Sequence, residues 1–249
     1  MKRSPLAPFW RLRDLLIQLR SVRDVAEYQK ISVIEAVKRA RIKETPEEEK
    51  LWNEFDRQAK IDYRDYYARN PHYIERHDWT NRAPNLSFLK HIPQSGAFLD
   101  YGCGTAYVAF RAKQKRCDIS LHLADIPEAM TKDYAQWRLR KHNLSFAWHD
   151  IPLDEQIDFG AKFDFIRCHD VLEHTFHPDA VVGNFLASLK TGGILSFDFL
   201  VDSEFDKENT RESQALRERT LEIALAGTEV LEQHDNYYLV RKVSLDTRQ

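Results

Sequence analysis

Several absences narrow this chain first. No apolar run approaches the roughly 20 residues a membrane-spanning helix needs. The basic start, Met1-Lys2-Arg3, leads into Arg11, Arg13 and Asp14 rather than an apolar stretch, so no signal peptide is expected. Cysteine is scarce. Cys103, Cys117 and Cys168 are odd in number and lack metal-ligand spacing, which argues for a reducing, cytoplasmic location. His-Glu-x-x-His does not occur, and the inverted form His-x-x-Glu-His would need a histidine where Asp170 stands, so no metal is expected. The chain also lacks internal repeats and low-complexity tracts. With a net charge of −2 and no recognisable RNA-binding module, nucleic acid is not an expected partner.

Glycine is scarce too, with eight in 249 residues, and two of them stand almost side by side. In Phe98-Leu99-Asp100-Tyr101-Gly102-Cys103-Gly104-Thr105-Ala106 a short apolar run ends on an acid and turns through Gly102 and Gly104. An apolar, helix-forming stretch from Tyr107 to Ala112 follows. This is a strand, a tight loop and a helix start, the arrangement in which a parallel α/β sheet holds a nucleotide-like ligand. The dinucleotide fingerprint would need a third glycine at position 107, which is Tyr107, and the Gly-Lys-Ser/Thr of a P-loop is missing. Asp100 would repel phosphate but suits a ligand carrying an amino group.

Strands are expected at 96–100, 118–124, 144–149, 163–168 and 193–200, with helices between them, which implies a parallel, doubly wound sheet. Thr228 to Gln233 and Tyr237 to Val243 read as a closing β-hairpin around a polar turn, preceded by a charged helical insertion at 201–227. Residues 1–43 carry eleven Lys/Arg against four Asp/Glu and show helical spacing at Leu12, Leu15, Leu16 and Leu19 and again at Ile31, Ile34 and Val37. Thr45-Pro46-Glu47-Glu48 is a helix start, for a helix expected to reach Arg69.

Ligands of such sheets lie beyond the carboxyl ends of the strands, so the strand ends belong together. They read Asp100 with Gly102, Cys103 and Gly104; Asp125-Ile126; His149-Asp150-Ile151; and Cys168-His169-Asp170-Val171-Leu172-Glu173-His174. Leu189-Lys190-Thr191-Gly192-Gly193-Ile194-Leu195 follows, expected as a helix ending in a glycine turn and a buried strand. Together these motifs, over about residues 85–200, resemble the class I S-adenosylmethionine-dependent methyltransferases, with Ala106 where that family commonly has glycine. The resemblance implies a seven-stranded, mostly parallel, Rossmann-like sheet with its last strand inserted antiparallel. It also implies S-adenosylmethionine as cofactor and methyl transfer to a small acceptor, and the basic residues 1–43 could separately dock an acidic carrier protein holding it. Residues 1–84 would form a helical cap and residues 85–249 the donor-binding domain.

Mapped residue by residue, the resemblance implies that Asp125 accepts from the ribose hydroxyls. Asp150 would bind the adenine amino group and Ile151 would offer a backbone N–H. Ile126 and His169 would also contact the donor. Bland alternatives stand beside these roles. Asp125 could cap a helix at Pro127, Asp150 could be a turn residue, and Cys103 is a small loop residue rather than a nucleophile. His169 is either a base towards the acceptor or a satisfied structural histidine. The aromatic stretch with Tyr63, Tyr66, Tyr67, Tyr73, His77 and Trp79 is partly core and partly a lid, with Tyr73 or His77 reaching the site. The basic segment 1–43 is a solvated face or a docking surface for an acidic partner or an anionic membrane. Two rival functions share the fold: a lyase or cyclase acting on the same sulfonium donor, and a non-catalytic assembly module.

Overall fold

Side chains alternate across a strand, and in this chain both alternates are apolar. Phe98, Phe165 and Ile194 pack on one face of the sheet, and Leu99, Ile166 and Leu195 pack on the other, each set within its own buried cluster. Strands buried on both faces need helices above and below, and a parallel sheet supplies them through its crossovers. In the computed structural model, which describes residues 19–42, 70, 72–80, 84–127, 129–152, 155, 157–201 and 211–244, seven strands form this sheet. They are β1 (Ala97–Tyr101), β2 (Ser120–Asp125), β3 (Ala147–Asp150), β4 (Phe163–Cys168), β5 (Leu189–Asp198), β6 (Thr228–His234) and β7 (Tyr237–Lys242). The order is β3-β2-β1-β4-β5-β7-β6. Strands β1 to β5 pair in parallel, and the β6–β7 hairpin joins β5 antiparallel. The α/β architecture and the antiparallel close agree with expectation. Strand order reverses between β1 and β4, which opens a crevice at their carboxyl ends.

The helices are α1 over 19–29, α2 (Val33–Ala40), α3 (Tyr73–Thr80), α4 (Tyr107–Lys115), α5 (Met130–Lys141), α6 (Pro178–Ser188) and α7 (Arg211–Leu225). Local chemistry sets several of their ends. The Ser32 side chain accepts from the Glu35 N–H at 3.1 Å and caps α2, and Pro178 opens α6, where its missing N–H costs nothing. The expected helix from Pro46 to Arg69, with Tyr63, Tyr66 and Tyr67, lies outside the described residues, as do residues 1–18 and 202–210 of the expected insertion.

Two expectations change. The third strand forms only over Ala147–Asp150. The Gly192-Gly193 turn does not separate a helix from a strand: α6 ends at Ser188, and β5 starts at Leu189 opposite Phe163. The glycines lie inside β5, where the register shifts between Phe163 and Phe165, and Gly192 has φ +80°. A Cβ on Gly193 would stand 2.9 Å from the Lys190 carbonyl oxygen and 3.0 Å from that of Phe163. The Lys190 ammonium donates to Asp164 at 2.7 Å, and Asp164 also accepts from the Ala97 N–H at 2.7 Å, so this end of β5 is tied to β4 and β1.

Helices α1 and α3 are held to the core by a charge deep inside the protein. Arg138 on α5 is fully buried and donates to the carboxylate of Asp78 on α3. Asp78 also accepts from Ser21 of α1 at 2.6 Å and from the Tyr134 hydroxyl at 2.7 Å. The guanidinium lies 4.4 Å from the Tyr134 ring centroid and 5.4 Å from that of Phe110. Removing one partner of such a pair leaves the other charged and desolvated. Arg138→Met is therefore expected to lower unfolding stability by about 3–5 kcal/mol. Urea unfolding measures this, and adding Asp78→Asn should recover part of the loss.

Candidate active site

Beyond β1 the chain must turn sharply, and the glycine loop does so against β2. The amides of Gly102 and Cys103 both donate to the Ala124 carbonyl, at 2.8 and 3.1 Å. Gly102 has φ +67°, and a Cβ there would run into the Val171 side chain, so position 102 requires glycine on two counts. Ala106 adopts φ 52°, ψ 30° at the start of α4 and is fully buried. A non-glycine residue thus holds a left-handed conformation that favours glycine.

Two buried carboxylates flank this loop. Asp125 Oδ2 accepts from the Gly104 N–H at 2.6 Å and Oδ1 from the Ile126 N–H at 2.8 Å. Burial pushes the Asp125 carboxyl up to about 6, while these two amides pull it back. Asp125 does not cap the next helix, which starts only at Met130 after Ala129. Asp100 pairs through Oδ1 with Arg167 Nη1 at 3.0 Å, and its Oδ2 is buried with no hydrogen-bond partner. Burial raises the Asp100 carboxyl, and the Arg167 guanidinium and the nearby Ala109 amide oppose that rise. Cys103 is buried beside Asp125, its thiol pushed well up by burial, which suits a loop residue and not a nucleophile.

Helix α3 roofs the loop. The His77 Cε1 atom lies 3.5 Å from where a Cβ on Gly104 would stand, and Nδ1 is 3.3 Å from the Thr105 hydroxyl. The Tyr73 ring stacks on His77 with centroids 5.5 Å apart. Burial, with the charges of Arg138 and Arg167, lowers His77 to about 4, so it is neutral at physiological pH.

His169 follows β4, the strand next to β1. Its Nε2 is 2.8 Å from the Ser196 hydroxyl and its Nδ1 is 3.5 Å from Asp198 Oδ2. Burial and then Arg167 hold its pKa well below the usual value. Asp198 also accepts from the Asp170 N–H at 2.7 Å. Carboxyl oxygens of Asp170, Glu173 and Asp198 all lie within 4.8 Å of one another. Burial, followed by the charge of Asp170, raises Asp198 to about 7.

The third strand end is the most open. Asp150 is exposed and accepts from Lys132 and from Trp148 Nε1, and the Lys132 bond holds its carboxyl below the usual range. The Ile151 N–H, implied by resemblance to face a ligand, donates to the Asp125 carbonyl at 2.8 Å. It is committed to joining the ends of β2 and β3. Arg167 and Asp198 were not anticipated. Arg167 follows the apolar run Phe163-Asp164-Phe165-Ile166, and the signal that could have found it is register: it faces Asp100 across parallel strands.

With this geometry in view, comparison with known proteins is informative. Residues 99–195 match the family model described as a methyltransferase domain. No curated protein gives a significant match. Among solved structures, the chain is similar to an O-methyltransferase family protein from Burkholderia thailandensis (16% identity over 80% of this chain and 63% of that one, TM-score 0.49). It is also similar to the N-methyltransferase NodS from Bradyrhizobium japonicum WM9 (18% identity, 64% and 91% covered, TM-score 0.47). Against four of the matched structures the chain spans between 22% and 63% of their length.

Position 102 gives the most direct test of the loop. Gly102→Ala should destabilise the fold by more than the ~1–2 kcal/mol of left-handed strain, because the added methyl also meets Val171. Urea unfolding should show Val171→Ala restoring the contact part of the loss and not the backbone part.

Proposed function

We propose that this chain, whose residues 99–195 match a methyltransferase domain, is a class I S-adenosylmethionine-dependent methyltransferase that methylates a small acceptor molecule. One observation carries the proposal: a buried carboxylate oxygen of Asp100, without a partner, beside a glycine loop whose far side is bonded by Asp125. These residues fit the donor. The Asp100 oxygen matches its amino group, and Arg167 supplies a cation for its carboxylate. Asp125 retains lone pairs for ribose hydroxyls, since an ionised carboxylate offers about four acceptor sites. Ile126, Ile151 and Asp150 would border the adenine end, although the Ile151 amide is already used.

When bound, S-adenosylmethionine supplies a sulfonium-activated methyl group, which leaves the protein to align the acceptor and exclude water. Tyr73 and His77 roof the loop, and such a roof suits a small acceptor better than a polymer. His169, neutral and with Nδ1 facing Asp198, is the candidate base: Asp198 orients the ring and Nε2 takes the acceptor's proton after exchanging its contact with Ser196. Residues 1–84 would act as the cap over the domain formed by 85–249, with Asp78 and Arg138 as the seam. Acceptors free in the cytoplasm or held on a carrier protein both agree with this arrangement.

The deciding experiment is mass spectrometry of the purified protein with S-adenosylmethionine, with and without a small-molecule extract of the source cells. S-adenosylhomocysteine formed only with extract is the expected result. Methylthioadenosine formed without extract would replace methyl transfer with a lyase or cyclase reaction. Donor binding with no product under either condition would favour an assembly module.

Two further outcomes are expected. Asp125 must be ionised to accept from two hydroxyls, and its carboxyl titrates at about 6. Affinity for S-adenosylhomocysteine should be flat above that pH and fall by up to roughly tenfold per unit below it. Calorimetry between about pH 5 and 8 tests this, with Asp125→Asn expected to bind weakly and without the pH dependence. His169→Ala should lower kcat by about 100-fold or more and leave S-adenosylhomocysteine affinity within a few-fold.

A further inference from the structure

Away from the strand ends, on the outer side of α4, a cavity of about 590 Å³ opens between α1, α4 and the end of α5. That volume is typical of a small-molecule site, roughly 300–1,000 Å³. Its floor is apolar, with Ala26, Ile31 and Phe110. Its walls are charged, and the charges do not balance locally. Asp24 and Glu27 are the acids that line it, and both are engaged: Lys141 Nζ is 2.8 Å from Asp24 and 2.6 Å from Glu27, and His142 Nε2 is 3.1 Å from Asp24.

Three guanidinium groups remain. Arg20 and Arg23, one turn apart on α1, are exposed and form no ion pair among the described residues. Arg111 approaches from α4. Its Nη1 donates to the neutral Gln114 at 2.9 Å, and its Nε is buried with no partner. Like charges converging on one concavity repel, and an occupant of opposite charge relieves that repulsion while accepting forked hydrogen bonds.

We propose that this cavity binds a small oxyanion, a phosphoryl or carboxylate group on a molecule with an apolar part, held between Arg20 and Arg23 on one side and Arg111 on the other. The concave shape and the apolar floor distinguish this from the general basic character of residues 1–43. The site is separate from the glycine loop but shares α4 with it. Tyr107 and Phe110 line the cavity, and α4 begins directly after Ala106. The proposal does not depend on methyl transfer.

The test is calorimetry of the full chain with pyrophosphate and with citrate, against sodium chloride at matched ionic strength, comparing wild type with Arg20→Ser/Arg23→Ser and, separately, Arg111→Gln. Saturable binding of pyrophosphate, weakened at least tenfold in both variants, is the expected result. Citrate binding with the same dependence would assign the site to oxyanions in general, and its absence would assign it to phosphoryl groups. The first variant changes only exposed side chains, so it stays folded and its thermal melt serves as the control. No saturable binding beyond the salt control, or equal binding in wild type and variants, would overturn the proposal. S-adenosylhomocysteine affinity, measured on the same samples, reports the donor site independently.

Discussion

The guanidinium of Arg138 is the contact on which much of the arrangement depends. A buried cation must be matched, and this one is matched by groups from separate parts of the chain: Asp78 of α3, the Tyr134 hydroxyl of its own helix, and the Thr105 carbonyl at 3.5 Å in the glycine loop. Because Asp78 follows His77, the bond that holds α3 down also sets the imidazole over Gly104. The roof and the loop it covers are therefore positioned by one desolvated pair. Such a pair adds little net stability compared with apolar packing, but it is costly to break, which favours a single arrangement.

The remaining charges near the strand ends form a second balance. Arg167 faces Asp100 directly and lies near enough to Asp198 and Asp170 for their charges to raise its own pKa. It also depresses His77 and His169. The crevice thus holds carboxyls raised by burial and neutral imidazoles beside Arg167, with Arg138 also acting on His77. This is a low-dielectric setting in which an added charge or polar group is felt strongly.

Much of the framework was legible because few residues can do what it requires. Gly102 and Gly104 stood out in a glycine-poor chain, and Asp100 and Asp125 mark the ends of apolar runs that could only be strands. The roles of Asp150 and Ile151 were less legible. A sequence shows which residue follows a strand, not whether Lys132 or a neighbouring carbonyl already holds it. Arg167 escaped notice because a charge within an apolar strand has no periodic signature, and only pairing with β1 shows what it faces. The Gly192-Gly193 pair misled for a related reason. A glycine turn after a helix and a kink inside a strand share the same residues, and pairing with Phe163 decides between them.

The ends of the sheet have a consequence of their own. Among the described residues the sheet does not close, and an open sheet has two edge strands, each a template on which a foreign strand could grow. At one rim β3 is only four residues long and ends on the charged Asp150. At the other, β6 carries Glu229, Glu232 and His234, with a shift in register against β7. One rim is too short to nucleate added strands and the other too charged and irregular. The chain can therefore keep a broad, strongly apolar sheet without inviting copies of itself to extend it.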